Sequence, residues 1–429
     1  MSLCRGRPSL LAASARGPRR LASAVALPVM QCDYFDAGRC RSCALMGVPY
    51  AVQLADKEAR CRHALATVAP DVTWLEAFPS AESAFRNKAK LVVGGVVGAV
   101  TVGILDGDGT GVDLRGCGLY EPTLQQLIPR LADVVDEVGL EPYDVAGRRG
   151  ELKHLILTLS PTGKVMLRLV LRSRRHLALL ESRLALLQAR LPEVSVVTVN
   201  LQPEHKAILE GDTEIVLTRS GELAMPLDDI TLFLRPNSFF QTNTAVASAL
   251  YRQAQDWTEA VGPAAVLDLY CGVGGFALHC AKAGARRVLG VEVSVEAVRS
   301  AETSASRLRA DHPDMGLLEF RAGDATDVET LERELLGAAP SMVVVNPPRR
   351  GIGPALTAWL ETSGATHVTY SSCNVDSLAR DLALLPSFAV REARLFDMFP
   401  QTSHHEVIIL MERGTASAPV DSVGVGRRP

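Results

Sequence analysis

Hydrophobic positions in the first half of the chain follow the period of β-strands. Between residues 30 and 235 the apolar runs are short, rich in β-branched residues and interrupted by glycine, as in 91–102, 165–172 and 196–201. Such runs predict strands. One segment rich in Ala, Leu and Arg, 177–190, has helical spacing instead. Residues 30–235 therefore predict a β-rich central domain that contains a helix.

From residue 236 the pattern changes to short apolar strands that alternate with amphipathic helices. Helices are predicted up to Ala283 and from Ser294 onward. The predicted strands are 265–269, 288–292, 342–346, 367–371 and 406–411. Alternating strands and helices predict a mostly parallel sheet with helices on both faces, which we assign to an α/β domain at residues 236–413.

The two ends of the chain differ from the rest in composition. Residues 1–29 contain five arginines and neither Asp nor Glu, which is typical of a transit peptide. The alternative, which we favour, is a start codon assigned too far upstream, with translation beginning at Met30. Residues 414–429 are rich in Gly, Ser, Ala and Pro, and we expect this tail to be disordered.

Composition and charge narrow the class of protein. The formal net charge is -3, so a nucleic-acid-binding protein of this composition would need local basic stripes. The longest apolar run, 91–103, is interrupted by glycines and is too short to cross a bilayer, so we expect no membrane partner. Nine cysteines are too few for a disulfide scaffold. Their clustering indicates metal binding or catalysis in a reducing compartment, which we expect to be the cytoplasm.

A glycine-rich loop, 268–276, follows the first strand of the α/β region. Glycines between a strand and a helix let a ligand approach the backbone. Glu292 ends the next strand, where a carboxylate can accept hydrogen bonds from a ribose diol. Gly272, Gly274 and Ala277, with an acidic residue about 20 positions further on, also fit the dinucleotide fingerprint. The loop therefore predicts an adenosine-type cofactor and leaves NAD open.

Two further motifs stand at the ends of later strands. Asn346-Pro-Pro-Arg-Arg-Gly351 must end its strand because proline cannot continue a central strand. The next strand ends in Ser371-Ser-Cys-Asn374. Open α/β sheets bind ligands at the carboxyl ends of their strands, so we expect Asn346, Cys373 and the glycine loop to share one pocket. An aromatic residue directly after Asn-Pro-Pro would be typical of amino-group methyltransferases, but Arg349 occupies that position.

Cys373 and Glu406 are candidates for covalent chemistry on a pyrimidine. A thiolate that adds to C6 makes C5 nucleophilic toward a sulfonium methyl group. The thiol pKa must fall for this, and Arg349, Arg350 or a helix start after Asn374 could lower it. The C5 proton must later be removed by a general base, for which Glu406 is the candidate. A packing cysteine and a solvent-facing glutamate are the ordinary alternatives, and the adjacent histidines, His404 and His405, are alternative bases.

Four cysteines near the start of the central domain have the spacing of a metal centre. Cys32, Cys40 and Cys43 form C-x7-C-x2-C, and Cys117 can supply a fourth thiolate. A zinc ribbon would prefer two tight pairs, so the three-plus-one arrangement favours a [4Fe–4S] cluster. Zinc, or no metal at all, remains open.

Two basic stripes and an aromatic pair are candidates for RNA contact. Strand geometry would direct alternate side chains of each stripe to one face, where they could follow a phosphate backbone or simply be solvated. The stripes are Arg86, Lys88 and Lys90, and Arg168, Arg172 and Arg174. Phe239 and Phe240 could stack near an extruded base or belong to the core.

Together these residues resemble the bacterial RNA (uracil-5-)methyltransferases, in particular the branch that modifies a uracil in 23S ribosomal RNA. The resemblance covers roughly residues 30–412. Its motifs are Met30-Gln-Cys32, Asp36-Ala-Gly-Arg-Cys-Arg-Ser-Cys43, Phe85-Arg-Asn-Lys-Ala-Lys90, Gly150-Glu-Leu-Lys153, Phe239-Phe-Gln-Thr-Asn243, the glycine loop, the Asn-Pro-Pro motif, Ser371-Ser-Cys-Asn374 and Phe396-Asp-Met-Phe-Pro400.

The resemblance implies a Rossmann-like S-adenosylmethionine-dependent methyltransferase domain and a β-rich central domain carrying an iron–sulfur cluster. It implies that Cys373 is the nucleophile and Glu406 the base. The cofactor contacts that it implies are Gln241, Tyr270, Glu292 and Asn346, beside Gly272 of the glycine loop, and the cluster ligands are Cys32, Cys40, Cys43 and Cys117. Relatives often have Phe at the position of Tyr270.

We therefore expect a monomeric enzyme that flips a uracil out of 23S ribosomal RNA and methylates its C5. The same reaction on transfer RNA is the nearest alternative. An NAD-dependent oxidoreductase and a non-catalytic RNA-binding assembly factor are more remote alternatives.

Overall fold

A computed structural model of the protein describes residues 30–206, 208–327 and 340–414. The helices are α1 (Asp33–Asp36), α2 (Tyr50–Leu65), α3 (Pro122–Val138), α4 (Leu177–Arg190), α5 (Thr244–Val261), α6 (Gly275–Lys282), α7 (Val295–Asp311), α8 (Gly353–Thr362) and α9 (Val375–Leu382). The strands are β1 (Thr73–Trp74), β2 (Lys88–Val96), β3 (Ala99–Leu105), β4 (Gly111–Asp113), β5 (Leu152–Leu159), β6 (Val165–Leu171), β7 (Val194–Leu201), β8 (Thr213–Val216), β9 (Leu223–Leu227), β10 (Ile230–Leu234), β11 (Ala265–Leu269), β12 (Arg287–Glu292), β13 (Leu317–Ala322), β14 (Met342–Val345), β15 (His367–Ser372), β16 (Phe388–Phe396) and β17 (Glu406–Arg413).

The C-terminal half forms an eight-stranded sheet in the order β1-β16-β17-β15-β14-β11-β12-β13. Strands β11 to β15 are parallel, whereas β17 is antiparallel to both β15 and β16. The five strands predicted from residue 236 onward are confirmed, with ends within two residues of the prediction. Strand β14 is buried at all four positions, as a continuous apolar run in a sheet covered on both faces should be.

Helix starts in this half are set by short polar side chains. The side chain of Ser294 accepts a hydrogen bond from the backbone N–H of Ala297 at the start of α7. That of Asn374 accepts one from Asp376 at the start of α9. These caps satisfy backbone donors that a helix leaves unpaired, and they fix where the chain turns from strand to helix. The turn after β15 therefore ends at Cys373, which directly precedes the capping residue.

The central part of the chain forms a seven-stranded sheet in the order β4-β3-β2-β5-β6-β7-β8. Helices α3 and α4 cover one face of it and share one apolar core with β2, β5 and β6. Helix α4 coincides with the predicted segment 177–190. The β-rich character predicted for this region is confirmed.

Residues early in the chain also contribute to the C-terminal sheet. Strand β1 pairs with β16, and Cys61 and Leu65 of α2 pack in a core with β14 and β15. These elements precede residue 235 and yet pack with the strands that follow it. The predicted domain boundary at residue 235 stays a prediction. The predictions for 1–29 and 415–429 lie outside the described residues. Within the described ranges, no helix is long and apolar enough to cross a membrane.

Candidate active site

The carboxyl ends of β11, β12, β14 and β15 surround a cavity of about 760 Å³. This volume suits a cofactor together with a nucleobase. All seven residues predicted for cofactor binding or catalysis line it, namely Gln241, Tyr270, Gly272, Glu292, Asn346, Cys373 and Glu406. The convergence expected from the strand-end motifs is therefore confirmed.

The glycine loop leaves its backbone open to the cavity. Tyr270 and Gly272 have positive φ angles of 59° and 54°, so the chain reverses sharply after β11. A Cβ added to Gly272 would meet nothing within 4 Å, and the left-handed conformation rather than crowding favours glycine there. At Gly274, φ is 85° and a Cβ would lie 2.9 Å from the ring of Phe320, so no side chain fits. The loop is thus a tight turn whose backbone a ligand can approach.

Two acidic side chains hold this loop in place. Glu292 accepts hydrogen bonds from the backbone N–H groups of Gly272, at 3.1 Å, and Ser294, at 2.9 Å. The fully buried Asp268 accepts one from the N–H of Ala277 at 2.9 Å, and burial raises its pKa to about 8. Glu292 is therefore oriented at the cavity wall, where its remaining lone pairs can meet a ribose.

Cys373 follows β15 at the cavity wall and is partly exposed. Burial raises the pKa of its thiol, the nearby charge of Glu406 raises it further, and the Arg349 guanidinium lowers it. Arg349 acts in the predicted direction, but its effect is outweighed, and the thiol pKa is raised rather than lowered. The reason is that desolvation and a neighbouring carboxylate both disfavour the thiolate.

Glu406 is buried, with 2% exposed, at the start of β17. The hydroxyl of Ser371 donates to its Oε1 at 2.6 Å, and burial raises its pKa to about 7. Because Ser372 pairs with Val407, Glu406 lies beside the end of β15, where Cys373 follows. A carboxylate with a pKa near neutrality suits a general base, so the ordinary alternative of a solvent-facing glutamate is wrong.

The neighbouring histidines occupy different surroundings. His404 lines the cavity, and its Nδ1 lies 2.9 Å from Arg349. His405 is buried, and its Nε2 lies 3.1 Å from the thiol of Cys61. Burial lowers the pKa of both imidazoles. Of the two, only His404 therefore reaches the cavity as an alternative base.

Several cavity residues escaped the sequence analysis. Asp324 lies two residues after β13, just as Glu292 ends β12, so a polar residue at the next strand end was the available signal. Phe399 lies in the loop before β17, and Tyr251 on α5 packs edge-on against Phe276 at 4.9 Å between ring centroids. Aromatic side chains on remote segments carry no local signal of this kind.

Phe239 and Phe240 were each predicted either to stack on an extruded base or to belong to the core, and the structure places them differently. Phe239 is 66% exposed and lines the cavity, whereas Phe240 is 3% exposed and belongs to the core. Adjacent residues in extended chain point in opposite directions. Phe239 is therefore placed to contact a ligand, and Phe240 is not.

The prediction of the second basic stripe is wrong at its first residue, Arg168. Arg168 is buried, with 2% exposed, and forms ion pairs with Glu210 at 2.6 Å and Glu214 at 2.7 Å. Strand β6 is buried at every position, because the chain that follows β7 covers the face that alternation assigned to solvent. In the first stripe Lys90 is exposed, while burial lowers the pKa of Lys88 to about 8.

Removing the Arg168 side chain should therefore destabilise the fold rather than weaken RNA binding. Arg168→Met leaves two carboxylates partly buried without their cation, and we expect a loss of about 3–5 kcal/mol in the free energy of unfolding. The matched change Arg174→Met, at an exposed position, should cost less than about 0.5 kcal/mol. Urea unfolding measures both. Equal stability of the two variants would contradict the structural role.

The four cysteines of the predicted cluster gather around one loop junction. Burial raises the pKa of Cys43 to about 11, and the charges of Cys117, Cys40 and Cys32 raise it further. The hydroxyl of Tyr34 accepts a hydrogen bond from the backbone N–H beside Cys117 at 3.0 Å and joins the two segments. In the part of the chain that the structure describes, however, no group of three or more His, Cys, Asp or Glu residues is arranged to hold a metal ion.

Sheet order, glycine loop and strand-end cavity together define an S-adenosylmethionine-dependent methyltransferase fold. Consistent with this, the chain is similar to the crystal structure of the Pyrococcus abyssi tRNA (uracil-54, C5)-methyltransferase in complex with S-adenosyl-L-homocysteine. The TM-score is 0.71 at 24% sequence identity, over 87% of this chain and 84% of that one.

Sequence comparison narrows the class. The family model described as tRNA (Uracil-5-)-methyltransferase matches residues 220–414. The 23S rRNA (uracil(747)-C(5))-methyltransferase RlmC of Halothiobacillus neapolitanus is 46% identical over 386 residues, covering 90% of this chain and 100% of the relative. RlmC of Edwardsiella ictaluri is 45% identical over 388 residues, covering 90% and 100%. The chain belongs to the RNA (uracil-5-)methyltransferase family, and the resemblance inferred from its motifs is confirmed.

Proposed function

We propose that the protein transfers a methyl group from S-adenosylmethionine to C5 of a uracil in 23S ribosomal RNA. The observation that carries the proposal is the shared cavity of Cys373 and Glu406, a thiol and a carboxyl group of near-neutral pKa beside the glycine loop. The chain covers the full length of two RlmC relatives, and both are named as 23S rRNA methyltransferases. These names support ribosomal RNA as the substrate.

The residues at the strand ends fit the cofactor. The open backbone at Gly272 and the oriented carboxylate of Glu292 suit an adenosine with a free ribose diol. Tyr270, Asn346 and Gln241 complete the proposed contacts around it. When bound, S-adenosylmethionine supplies an electrophilic methyl group.

Cys373 and Glu406 then divide the chemistry. The Cys373 thiolate adds to C6 of the uracil, and the electron pair of the C5–C6 bond moves into an enolate. C5 takes the methyl group, and Glu406, as carboxylate, accepts the C5 proton. The electrons of the C5–H bond re-form the C5–C6 double bond and expel the Cys373 thiolate, which restores the enzyme apart from the proton on Glu406.

RNA binding is proposed to use the surface around the cavity mouth. A uracil must leave its stack to reach Cys373, and the exposed ring of Phe239 is placed to stack on it or on a neighbouring base. Arg86 and Lys90 of the first stripe are proposed phosphate contacts, so the affinity should fall steeply as salt rises. We propose that the protein acts as a monomer.

A [4Fe–4S] cluster on Cys32, Cys40, Cys43 and Cys117 is proposed as a structural element of the central part. Its support is the proximity of the other three cysteines to Cys43, whose pKa their charges raise, an arrangement that a bound cation would relieve.

Cys117→Ala should therefore lower the iron content and the stability of the protein more than its methyltransferase activity. We expect the melting temperature to fall by roughly 5–10 °C, as a loss of about 2–3 kcal/mol would cause, while the surviving protein keeps its specific activity. Iron content per chain and thermal melting measure this, and Cys280→Ala, which removes a cysteine outside the proposed cluster, should keep the iron content of the wild type. An iron-free wild type of unchanged stability would contradict the cluster.

The proposed function is tested by methyl transfer from labelled S-adenosylmethionine into unmodified 23S ribosomal RNA and unmodified transfer RNA. Nucleoside mass spectrometry identifies the product. We expect 5-methyluridine in the ribosomal RNA alone. Label in transfer RNA alone would move the substrate to that class. The absence of 5-methyluridine from both RNAs would contradict the proposed function and favour the oxidoreductase or assembly-factor alternative.

A further inference from the structure

Helix α2 turns a polar face toward the interior. Gln53, Lys57 and Cys61 recur every four residues and so share one face of the helix. Their exposed fractions are 1%, 4% and 0%. Burying an amide and an ammonium group is unfavourable unless both are hydrogen-bonded. The partners of these side chains therefore constrain both the helix and whatever they contact.

Gln53 donates to the carbonyls of Leu45 and Val48, and the remaining partners lie in the segment 397–405, which directly precedes β17. Lys57 Nζ donates to Asp397 Oδ1 at 2.7 Å, and both side chains are almost fully buried. Cys61 Sγ lies 3.1 Å from His405 Nε2, while the other ring nitrogen of His405 lies 3.2 Å from a backbone carbonyl. Helix α2 thus contacts the first residue of the segment, Asp397, and its last residue, His405.

The middle of the segment is held in a strained conformation. Gln401 has a φ of 66°, a left-handed value that a non-glycine residue keeps only when its surroundings over-determine it. Its N–H donates to Gln53 Oε1 at 2.9 Å, and its own Oε1 accepts from Gln53 Nε2 at 3.0 Å. Its carbonyl accepts from the N–H of Leu45 at 2.9 Å. Gln53 therefore satisfies both the backbone and the side chain of the strained residue.

This segment shapes the catalytic cavity. Phe399 and His404 line the cavity, and Glu406 follows at the first position of β17. We infer that Gln53, Lys57 and Cys61 are positioning residues, which hold Glu406 at the distance from the bound uracil that proton removal requires. The inference rests on the proposed function, because it assigns Glu406 the role of the base.

A displaced base has a distinctive chemical consequence. Addition of Cys373 to C6 and methylation of C5 both precede removal of the C5 proton. A small shift of Glu406 slows only that last step, so the methylated uracil stays bonded to Cys373. Loss of a positioning residue should therefore accumulate a covalent protein–RNA adduct, whereas general destabilisation would only reduce the amount of active protein.

The test compares Gln53→Met with Gln202→Met in the full-length protein. Gln202 is buried to the same degree, at 2%, but its side chain accepts a hydrogen bond from Lys153, outside the segment 397–405. After reaction with unmodified 23S ribosomal RNA and S-adenosylmethionine, denaturing gels quantify the adduct. We expect Gln53→Met to lower kcat about 10- to 100-fold, as a displacement near 1 Å can, with a matching rise in adduct and an unchanged KM for S-adenosylmethionine. Gln202→Met should accumulate no adduct.

Cys61→Ala is a smaller change and covers the case in which Gln53→Met fails to fold. It removes one contact to His405 and should raise the adduct level in the same direction. Activity that falls in parallel in Gln53→Met and Gln202→Met without adduct, or folded Cys61→Ala with wild-type adduct levels, would overturn the inference. A wild-type protein that forms no 5-methyluridine would instead refute the proposed function, so the two failures are distinguishable.

Discussion

Cys373→Ala should abolish 5-methyluridine formation, with a fall in kcat of at least roughly 10^4-fold, in line with the loss of a catalytic nucleophile. Without the thiolate no adduct forms at C6, and C5 of uracil remains too weakly nucleophilic to take the methyl group. Cys373 is partly exposed at the cavity wall, so the change leaves no cavity in the core and the protein should fold. With unmodified 23S ribosomal RNA as the substrate, transfer of labelled methyl groups measures the loss of product. Denaturing gels measure the loss of the covalent protein–RNA adduct.

Cys280→Ala is the control for this experiment. Cys280 is 0% exposed and contacts the hydroxyl of Thr258 at 3.2 Å, away from the cavity lining. Its loss should affect stability alone. If Cys373→Ala kept wild-type methylation, covalent catalysis at this residue would be refuted, even with the family assignment intact.

Glu406→Gln should slow turnover by about 10^2- to 10^4-fold, the usual contribution of a general base, and should trap the methylated adduct on Cys373. Glutamine keeps the shape of the side chain and can still accept the hydrogen bond that Ser371 donates at 2.6 Å. The amide cannot accept the C5 proton. Single-turnover reactions followed on denaturing gels separate adduct formation from product release. Loss of product without any adduct would place Glu406 in an earlier step.

The pH dependence of turnover gives an independent test of the same residue. Burial raises the pKa of Glu406 to about 7, and the base works only when deprotonated. Turnover limited by proton removal should therefore be maximal above pH 7 and fall as the pH drops through this value. The Cys373 thiol, whose pKa is raised, adds a second increase with pH. In Glu406→Gln the limb near pH 7 should disappear, while the limb due to the thiol remains in the rate of adduct formation.

Local patterns in the sequence were sufficient for much of the fold. The strands of the C-terminal sheet are short apolar runs that end at glycine, proline or a capping residue, so their positions can be inferred without tertiary information. The same holds for the glycine loop and for Asn346, because the carboxyl ends of parallel strands meet at one edge of a sheet. The motifs as a set indicated the family.

The strength and surroundings of the charged groups could not be inferred in this way. Glu406 reads as the first residue of an exposed strand, but antiparallel pairing of β17 with β15 buries it beside Cys373. Arg168 reads as part of a solvated stripe, but Glu210 and Glu214 fold back over it. A pKa depends on desolvation and on charges brought close by distant parts of the chain, so residue type and spacing do not determine it.

The contact between Gln53 and Gln401 is another feature that the sequence does not predict. They are separated by 348 positions, and their mutual hydrogen bonds exist only once α2 packs on the C-terminal sheet. By itself the sequence determined the strands of the C-terminal sheet, the glycine loop and the family, and it indicated Cys373 as the candidate nucleophile, because short-range periodicity and strand-end geometry are local properties. Only the tertiary structure decided that Glu406 is buried beside Cys373, that Arg168 is paired with two glutamates and that α2 contacts the segment 397–405, because burial and contact are properties of the packed chain.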